Sequence, residues 1–191
     1  MINMIIFGAP GSGKGTQSEK IIEKYNLTHI STGDILRREM NSETKLGGIA
    51  KGYVSRGELV PDDLIIEMLE QELIKLEGVS KGVIFDGFPR TVEQASALKK
   101  MLEKKGERIA LMLNLEVERE ELINRLLKRG ETSGRSDDNL ETIEHRLKVY
   151  ENFTAPVMDF YKKEGCYKNI NTVGSIEVIF SDIEKVIDGI I

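Results

Sequence analysis

The chain has little cysteine, no long apolar run and no surplus of positive charge. Cys166 is its only cysteine, which excludes an intrachain disulfide and a cysteine-held zinc cluster, and which suits a reducing compartment such as the cytoplasm. No apolar stretch reaches the length that spans a bilayer, so no membrane-embedded role is expected. Met1-Ile2-Asn3 runs directly into a strand-like segment, so no secretory signal peptide is expected. A formal net charge of −5 argues against a nucleic-acid binder that works through a general basic surface. Internal repeats and low-complexity segments are lacking too. What remains is a chain of 191 residues, enough to build one main domain around its own core.

Apolar runs alternate with helical periodicity, the pattern of an α/β fold in which helices wrap a parallel sheet. Strands are expected at 2–7, 28–30, 83–86, 109–115 and 167–170, and a first helix at 14–25. Ser31 or Thr32 can cap a helix over 33–40, with Asp34 favourable in its first turn. Further helices are expected at 45–56, despite Gly47, Gly48 and Gly52, then at 62–76, 91–104 and 117–128. Leu140, Ile143, Leu147 and Tyr150 recur at helical spacing, and Pro156 should interrupt that helix before 157–163. Ser175 should cap the last helix, whose Val178, Ile179, Ile183, Val186 and Ile187 are expected to face the sheet. Two stretches exceed simple alternation. Residues 32–73 hold too many helices for one crossover, and residues 130–138 form a polar, glycine-rich segment expected to be a mobile loop.

The first strand empties into Gly8-Ala9-Pro10-Gly11-Ser12-Gly13-Lys14-Gly15-Thr16-Gln17, and a helix follows. Glycines let main-chain N–H groups approach a ligand, the helix start adds unpaired N–H groups and a positive dipole end, and Lys14 adds a full charge. That combination suits the phosphates of a nucleotide. The general phosphate loop has Ser or Thr directly after the Lys; here Gly15 stands there and Thr16 supplies the hydroxyl one residue later.

Other strand ends carry similar groups. Asp86-Gly87-Phe88-Pro89-Arg90 follows the third strand, and ligands collect beyond the carboxyl ends of parallel strands. Asp86 could hold magnesium through water beside Thr16, or could simply cap the next helix; Arg90 could grip a phosphate or carboxylate with two hydrogen bonds, or be solvated. After the second strand come Ser31, Thr32 and, one helical turn on, Arg37. Arg129, Arg135 and Arg146 gather around the polar segment, where Asp137 and Asp138 can hold them when no nucleotide is bound. Lys14, Arg37, Arg90, Arg129, Arg135 and Arg146 are more cations than one triphosphate needs. Two phosphorylated ligands facing each other would use them all, and an acceptor that is itself an ionised phosphate needs no dedicated general base.

Together these motifs resemble the adenylate kinases, among the nucleoside monophosphate kinases. The resemblance rests on residues 8–17, Ser31-Thr32-Gly33-Asp34, residues 86–90 and Gly134-Arg135-Ser136-Asp137-Asp138-Asn139, and covers residues 4–174. It implies the phosphate-loop nucleotide kinase fold in a single domain, with an AMP-binding insertion at 31–60, a short lid at 129–139, and reversible transfer from MgATP to AMP. By that resemblance Gly11, Ser12, Gly13, Lys14, Gly15 and Thr16 hold the ATP phosphates, Arg129 lies against ATP, and the Gly174 backbone meets its adenine. Thr32, Arg37, Glu58, Leu59, Val60, Gly87, Phe88, Pro89, Arg90 and Gln94 resemble the AMP pocket. Arg135 and Arg146 resemble the pair that clamps phosphates as the lid closes, so Lys14, Arg90, Arg129, Arg135 and Arg146 are the catalytic candidates. Relatives with a long lid sometimes hold zinc there through cysteines; this short lid has none, so no zinc is expected. ATP, AMP and ADP are the implied partners, and a monomer is implied.

Two alternatives differ in class or base. The uridylate/cytidylate kinases share the short lid but typically carry Ala at the place of Thr32 and an Asn-containing stretch after the Pro-Arg. A hydroxyl and the Gln94 carboxamide can read an adenine edge, and such sites reject ligands that cannot pair with them. A phosphate-loop switch protein would need a water-orienting residue and an ordered switch segment rather than a second anion pocket.

Overall fold

The computed structural model describes residues 2–76, 80–133, 135 and 137–190; Gly134 and Ser136 of the last motif lie outside these described residues. The apolar runs form strands β1 (Ile2–Phe7), β2 (Thr28–Ser31), β3 (Gly82–Asp86), β4 (Ile109–Glu116) and β5 (Tyr167–Asn171). They pair in the order β2-β3-β1-β4-β5, and every pair is parallel. A central parallel strand is covered on both faces, which is why β1 shows no polar alternation after Asn3. Its side chains divide between two cores. Met4 and Ile6 pack with Ile21, Ile179 and Ile183, while Ile5 and Phe7 pack with Phe85, Leu98 and Val157.

Nine α-helices surround the sheet among the described residues: α1 (Lys14–Tyr25), α2 (Thr32–Asn41), α3 (Lys45–Ser55), α4 (Asp62–Lys75), α5 (Val92–Glu103), α6 (Arg119–Ser133), α7 (Leu140–Val149), α8 (Val157–Lys163) and α9 (Ile176–Asp188). Helices α1 and α9 cover one face; α4, α5 and α8 cover the other. Helices α6 and α7 join through a smaller cluster of Leu122, Leu126, Ile143 and Leu147. Side-chain caps start several of them: Ser31, Thr91, Asn139 and Ser175 each accept from the N–H three residues on. Ser31, not Thr32, caps α2, and this leaves the Thr32 hydroxyl for another partner.

Three expectations need correction. The polar segment does not become a loop at Gly130, because α6 continues to Ser133. A Cβ at Gly130 would stand 2.7 Å from the Asp138 carbonyl oxygen, so the glycine that suggested a break instead lets the returning chain lie against the helix. The interruption after α7 begins before Pro156: residues Tyr150–Thr154 form a π-helical turn, closed by the Ala155 N–H donating to the Tyr150 carbonyl at 2.8 Å. Val178 is 54% exposed; Ile179, Ile183 and Ile187 make the inward stripe of α9, and Val178 falls beside it. Among the described residues no helix is long and apolar enough to cross a membrane.

Candidate functional site

Because all five strands are parallel, the segments that follow them emerge on one edge of the sheet. Asp86 at the end of β3 is in register with Ile6 of β1 on one side and with Ser31 of β2 on the other. The phosphate loop, the Ser31–Thr32 segment and the Asp86–Arg90 segment are therefore neighbours although 82 positions separate Gly8 from Arg90. Gly174 follows β5 at the same edge, at the far side of the sheet.

The loop after β1 is tightly built. Gly8 has φ 143°, and a Cβ there would come within 2.7 Å of both the Leu115 carbonyl oxygen and Ser12 Oγ. Gly13 precedes α1 without a side-chain cap, which leaves the first N–H groups of that helix open to a ligand. Ser12 is 3% exposed, and its hydroxyl has no hydrogen-bond partner among the described residues. Gly11 and Gly13 also take positive φ, whereas Gly15 and Thr16 lie exposed in the first turn of α1. Lys14 folds back over the loop: its Nζ donates to the Gly8 carbonyl at 2.8 Å and the Ala9 carbonyl at 2.9 Å. Loss of water pulls its ammonium down to about 8, with Asp86 opposing and Arg90, Arg146 and Arg129 adding to the shift.

Those arginines form one electrostatic set. Arg90 is pulled down to about 10 by desolvation and by Arg146, with Asp86 opposing and Arg37 contributing. Arg135 is lowered by desolvation, then by Arg37 and Arg129. Carboxylates hold two of the cations in place. Arg129 donates to both Asp138 oxygens at 2.7 Å, and Arg146 donates to Asp138 at 3.0 Å and pairs with Asp137 at 2.7 Å. The Asp138 carboxylate is fully buried. Burial alone would raise its pKa, but the hydrogen bonds and charge of Arg129, with Arg146 and Arg135 behind it, hold the carboxyl below the usual range. Arg37 pairs with Asp34, which is likewise held low against its own desolvation. Arg125, by contrast, pairs with Glu121 on the outside of α6.

A second feature opens beside this set, a narrow cleft lined in part by Thr32, Glu58, Leu59, Val60, Gly87, Arg90 and Gln94. The Thr32 hydroxyl and Arg90 Nε both donate to the Gly87 carbonyl at 2.8 Å. Gln94 is 2% exposed; its Oε1 accepts from the Arg90 N–H and its Nε2 donates to Asp62, each at 2.7 Å. Glu58 pairs with Arg56. The Phe88 ring joins the core beside Phe85, and Pro89 is buried, so neither side chain lines the cleft. The helix after Arg90 is capped by Thr91, so neither Asp86 nor Arg90 serves as a cap or a free surface charge.

The sequence alone did not single out Asp62, which stands at the start of α4 as an ordinary acidic first-turn residue. Its hydrogen bonds reach Thr91 and Gln94, and no local signal reports partners that far along the chain.

Known proteins match this chain across its length. A sequence model of the family Adenylate kinase matches residues 6–166. The adenylate kinase of Parabacteroides distasonis is 58% identical over 190 residues, covering 100% of both chains. That of Phocaeicola vulgatus is 56% identical over 188 residues, covering 98% of this chain and 99% of the relative. That of Porphyromonas gingivalis strain W83 is 52% identical over 188 residues, covering 98% of this chain and 96% of the relative. The phosphate loop, the arginine set and the second cleft thus occur in a chain that belongs to the adenylate kinase family.

Proposed function

We infer that the protein transfers the terminal phosphoryl group of MgATP to AMP, reversibly, giving two ADP. One observation carries the reading beyond family membership: the cations around Lys14 continue through Arg90 into a second cleft, so two anionic ligands can meet over one charge cluster. On this reading residues 11–16 and Arg129 hold ATP, Gly174 lies near its adenine, and the cleft from Thr32 to Gln94 takes AMP.

The chemistry asked of the protein is positioning and charge neutralisation. Lys14 leaves two loop carbonyls for phosphate oxygens, and the open N–H groups of α1 add fixed partial charge. Arg129 and Arg146 exchange Asp138 for phosphate, while Arg90 and Arg37 hold the acceptor phosphate, which arrives already ionised. Closing of the insertion at 31–60 and of the segment at 129–139 over the ligands would exclude water that otherwise hydrolyses ATP. Asp86 and the Thr16 hydroxyl suit magnesium, because one carboxylate with a hydroxyl, waters and phosphate oxygens is the donor set that ion accepts. Among the described residues no group of three or more His, Cys, Asp or Glu could hold a metal ion. When bound, magnesium would neutralise charge between the phosphates.

A monomer is carried over from the family resemblance, and a single thiol at Cys166 suits the cytoplasm. The test is ADP formation from ATP with AMP, UMP, CMP or GMP as acceptor. AMP should be used far faster than the pyrimidine monophosphates. If AMP leaves turnover flat, the reading fails; if UMP or CMP outruns AMP, the base assignment fails.

A further inference from the structure

We propose that Asp62 is a specificity-positioning residue: it fixes the orientation of the Gln94 carboxamide so that the acceptor cleft accepts a 6-aminopurine and rejects a 6-oxopurine. The inference rests on the reading of that cleft as the acceptor site and adds to it a residue outside the cleft lining.

The oxygen and nitrogen ends of a carboxamide are nearly isosteric, so a glutamine used to read a base can present either of two opposite patterns. Its partners decide which. Here both partners have only one option. The backbone N–H of Arg90 can only donate, and it holds Gln94 Oε1 at 2.7 Å. An ionised carboxylate can only accept, and Asp62 Oδ1 holds Gln94 Nε2 at 2.7 Å. The other carboxylate oxygen is occupied as well, since the Thr91 hydroxyl donates to Asp62 Oδ2 at 2.8 Å. That hydroxyl is committed in turn, because its oxygen accepts the Gln94 N–H at 3.1 Å as the cap of α5. Turning the amide over would set two donors against each other at Arg90 and two acceptors against each other at Asp62. With Gln94 2% exposed, water cannot relieve either clash.

The locked amide keeps one N–H and one oxygen lone pair for a ligand. An adenine edge is complementary, since its amino group donates to the oxygen while a ring nitrogen accepts from the N–H. A 6-oxopurine offers an oxygen where the amino group was, and meets the Gln94 oxygen with another acceptor. Thr32 lines the same cleft, but its hydroxyl can keep the Gly87 carbonyl and accept from an amino group, or leave that carbonyl and donate to an oxo group, so it does not make this distinction. The discrimination between aminopurine and oxopurine therefore passes to Gln94, and through it to Asp62.

The experiment compares kcat/KM for AMP and for inosine monophosphate, which differs at the 6-position without adding another amino group. In Asp62→Ala the amide can turn over at the cost of one remaining hydrogen bond, and the AMP preference should fall by about tenfold or more, with KM for ATP unchanged. Thr91→Val is the control. It breaks the other Asp62 contact and the α5 cap but leaves the Asp62–Gln94 bond, so its AMP preference should stay within about twofold of the unaltered protein. Should Asp62→Ala fail to fold, Asp62→Leu decides: an apolar side chain of similar size accepts from neither donor, and the preference should fall by about threefold or more. A folded Asp62 variant with unchanged preference overturns the proposal. So does an equal fall in Thr91→Val, which would mean that loosening of the α4–α5 junction is responsible. Failure of the acceptor-site reading looks different, since the unaltered protein would then make no AMP-dependent ADP.

Discussion

Around Lys14 the protein's contacts are provisional. The lysine rests on two loop carbonyls, Arg129 and Arg146 rest on Asp138, and the same cations oppose one another across the site. Around Gln94 the contacts are committed. Neutral groups and one carboxylate hold one another in a fixed donor–acceptor pattern, most of it out of water. On the proposed assignment, the first region stores charge that a phosphate can claim, and the second stores orientation that a base must match. Charge acts at a distance and tolerates movement, so the donor side can be assembled from cations on several elements. Orientation requires near-contact geometry, and it is built where α4 and α5 meet the end of β3.

The largest expected effect comes from the provisional side. Lys14→Ala should lower turnover by about a hundredfold or more, because a preorganised charge is lost where transition-state charge develops. The melting temperature of the ligand-free protein should hardly change, since the lysine bonds only to its own loop and opposes three arginines. Near-normal turnover would remove Lys14 from the reaction and with it the contrast between the two regions.

Asp138→Asn should be the most destabilising change near the site, by about 2 kcal/mol in urea unfolding, less than a wholly buried pair because Arg129 is one-third open to solvent. The pH dependence has a defined sign. Asp138 is held below the usual carboxylate range, so its contribution is present above that range and is lost as pH falls through the lowered value. Asp138→Asn should therefore flatten the acid side of the stability curve; an unchanged acid slope would show that Asp138 is not the counter-ion described here.

Lys14 yields a third test. Its ammonium sits at about 8 in the ligand-free protein, and a bound phosphate favours the charged form. Nucleotide binding near pH 9 should take up a proton, and affinity should weaken as pH rises past about 8. Calorimetry in buffers of different ionisation heat would detect the uptake, and Lys14→Ala should abolish it. The committed side should give the smallest effect. Thr32→Ala removes one hydroxyl from the cleft and should reduce selectivity for AMP over the pyrimidine monophosphates by about tenfold in competition, with little salt dependence. Unchanged selectivity would mean that adenine is read elsewhere.

Much of this was legible in the chain itself, for reasons that differ by element. Strands buried on both faces leave continuous apolar runs, so β1, β3 and β4 were readable nearly to their ends, whereas β2 and β5 stand at the sheet's edges, partly exposed and with polar residues among their apolar ones. The phosphate loop was readable because backbone approach to phosphate demands glycines at set spacing, and α1 follows directly. Gly130 misled, because a residue unfavourable in a helix was retained for the close passage of Asp138. The Asp86–Arg90 motif was readable as a unit, but not that the Phe88 side chain turns into the core while Arg90 faces the cleft. The role of Asp62 depends on bringing α4 against α5, and that juxtaposition exists only in the folded chain.

The central claim, that one cluster of cations serves two phosphorylated ligands at once, is tested most directly by stoichiometry. With ATP in excess and a limited amount of AMP, the account predicts two ADP formed for each AMP consumed, and no further ADP once AMP is exhausted. One ADP per ATP with AMP left intact would mean transfer to water, and would contradict it.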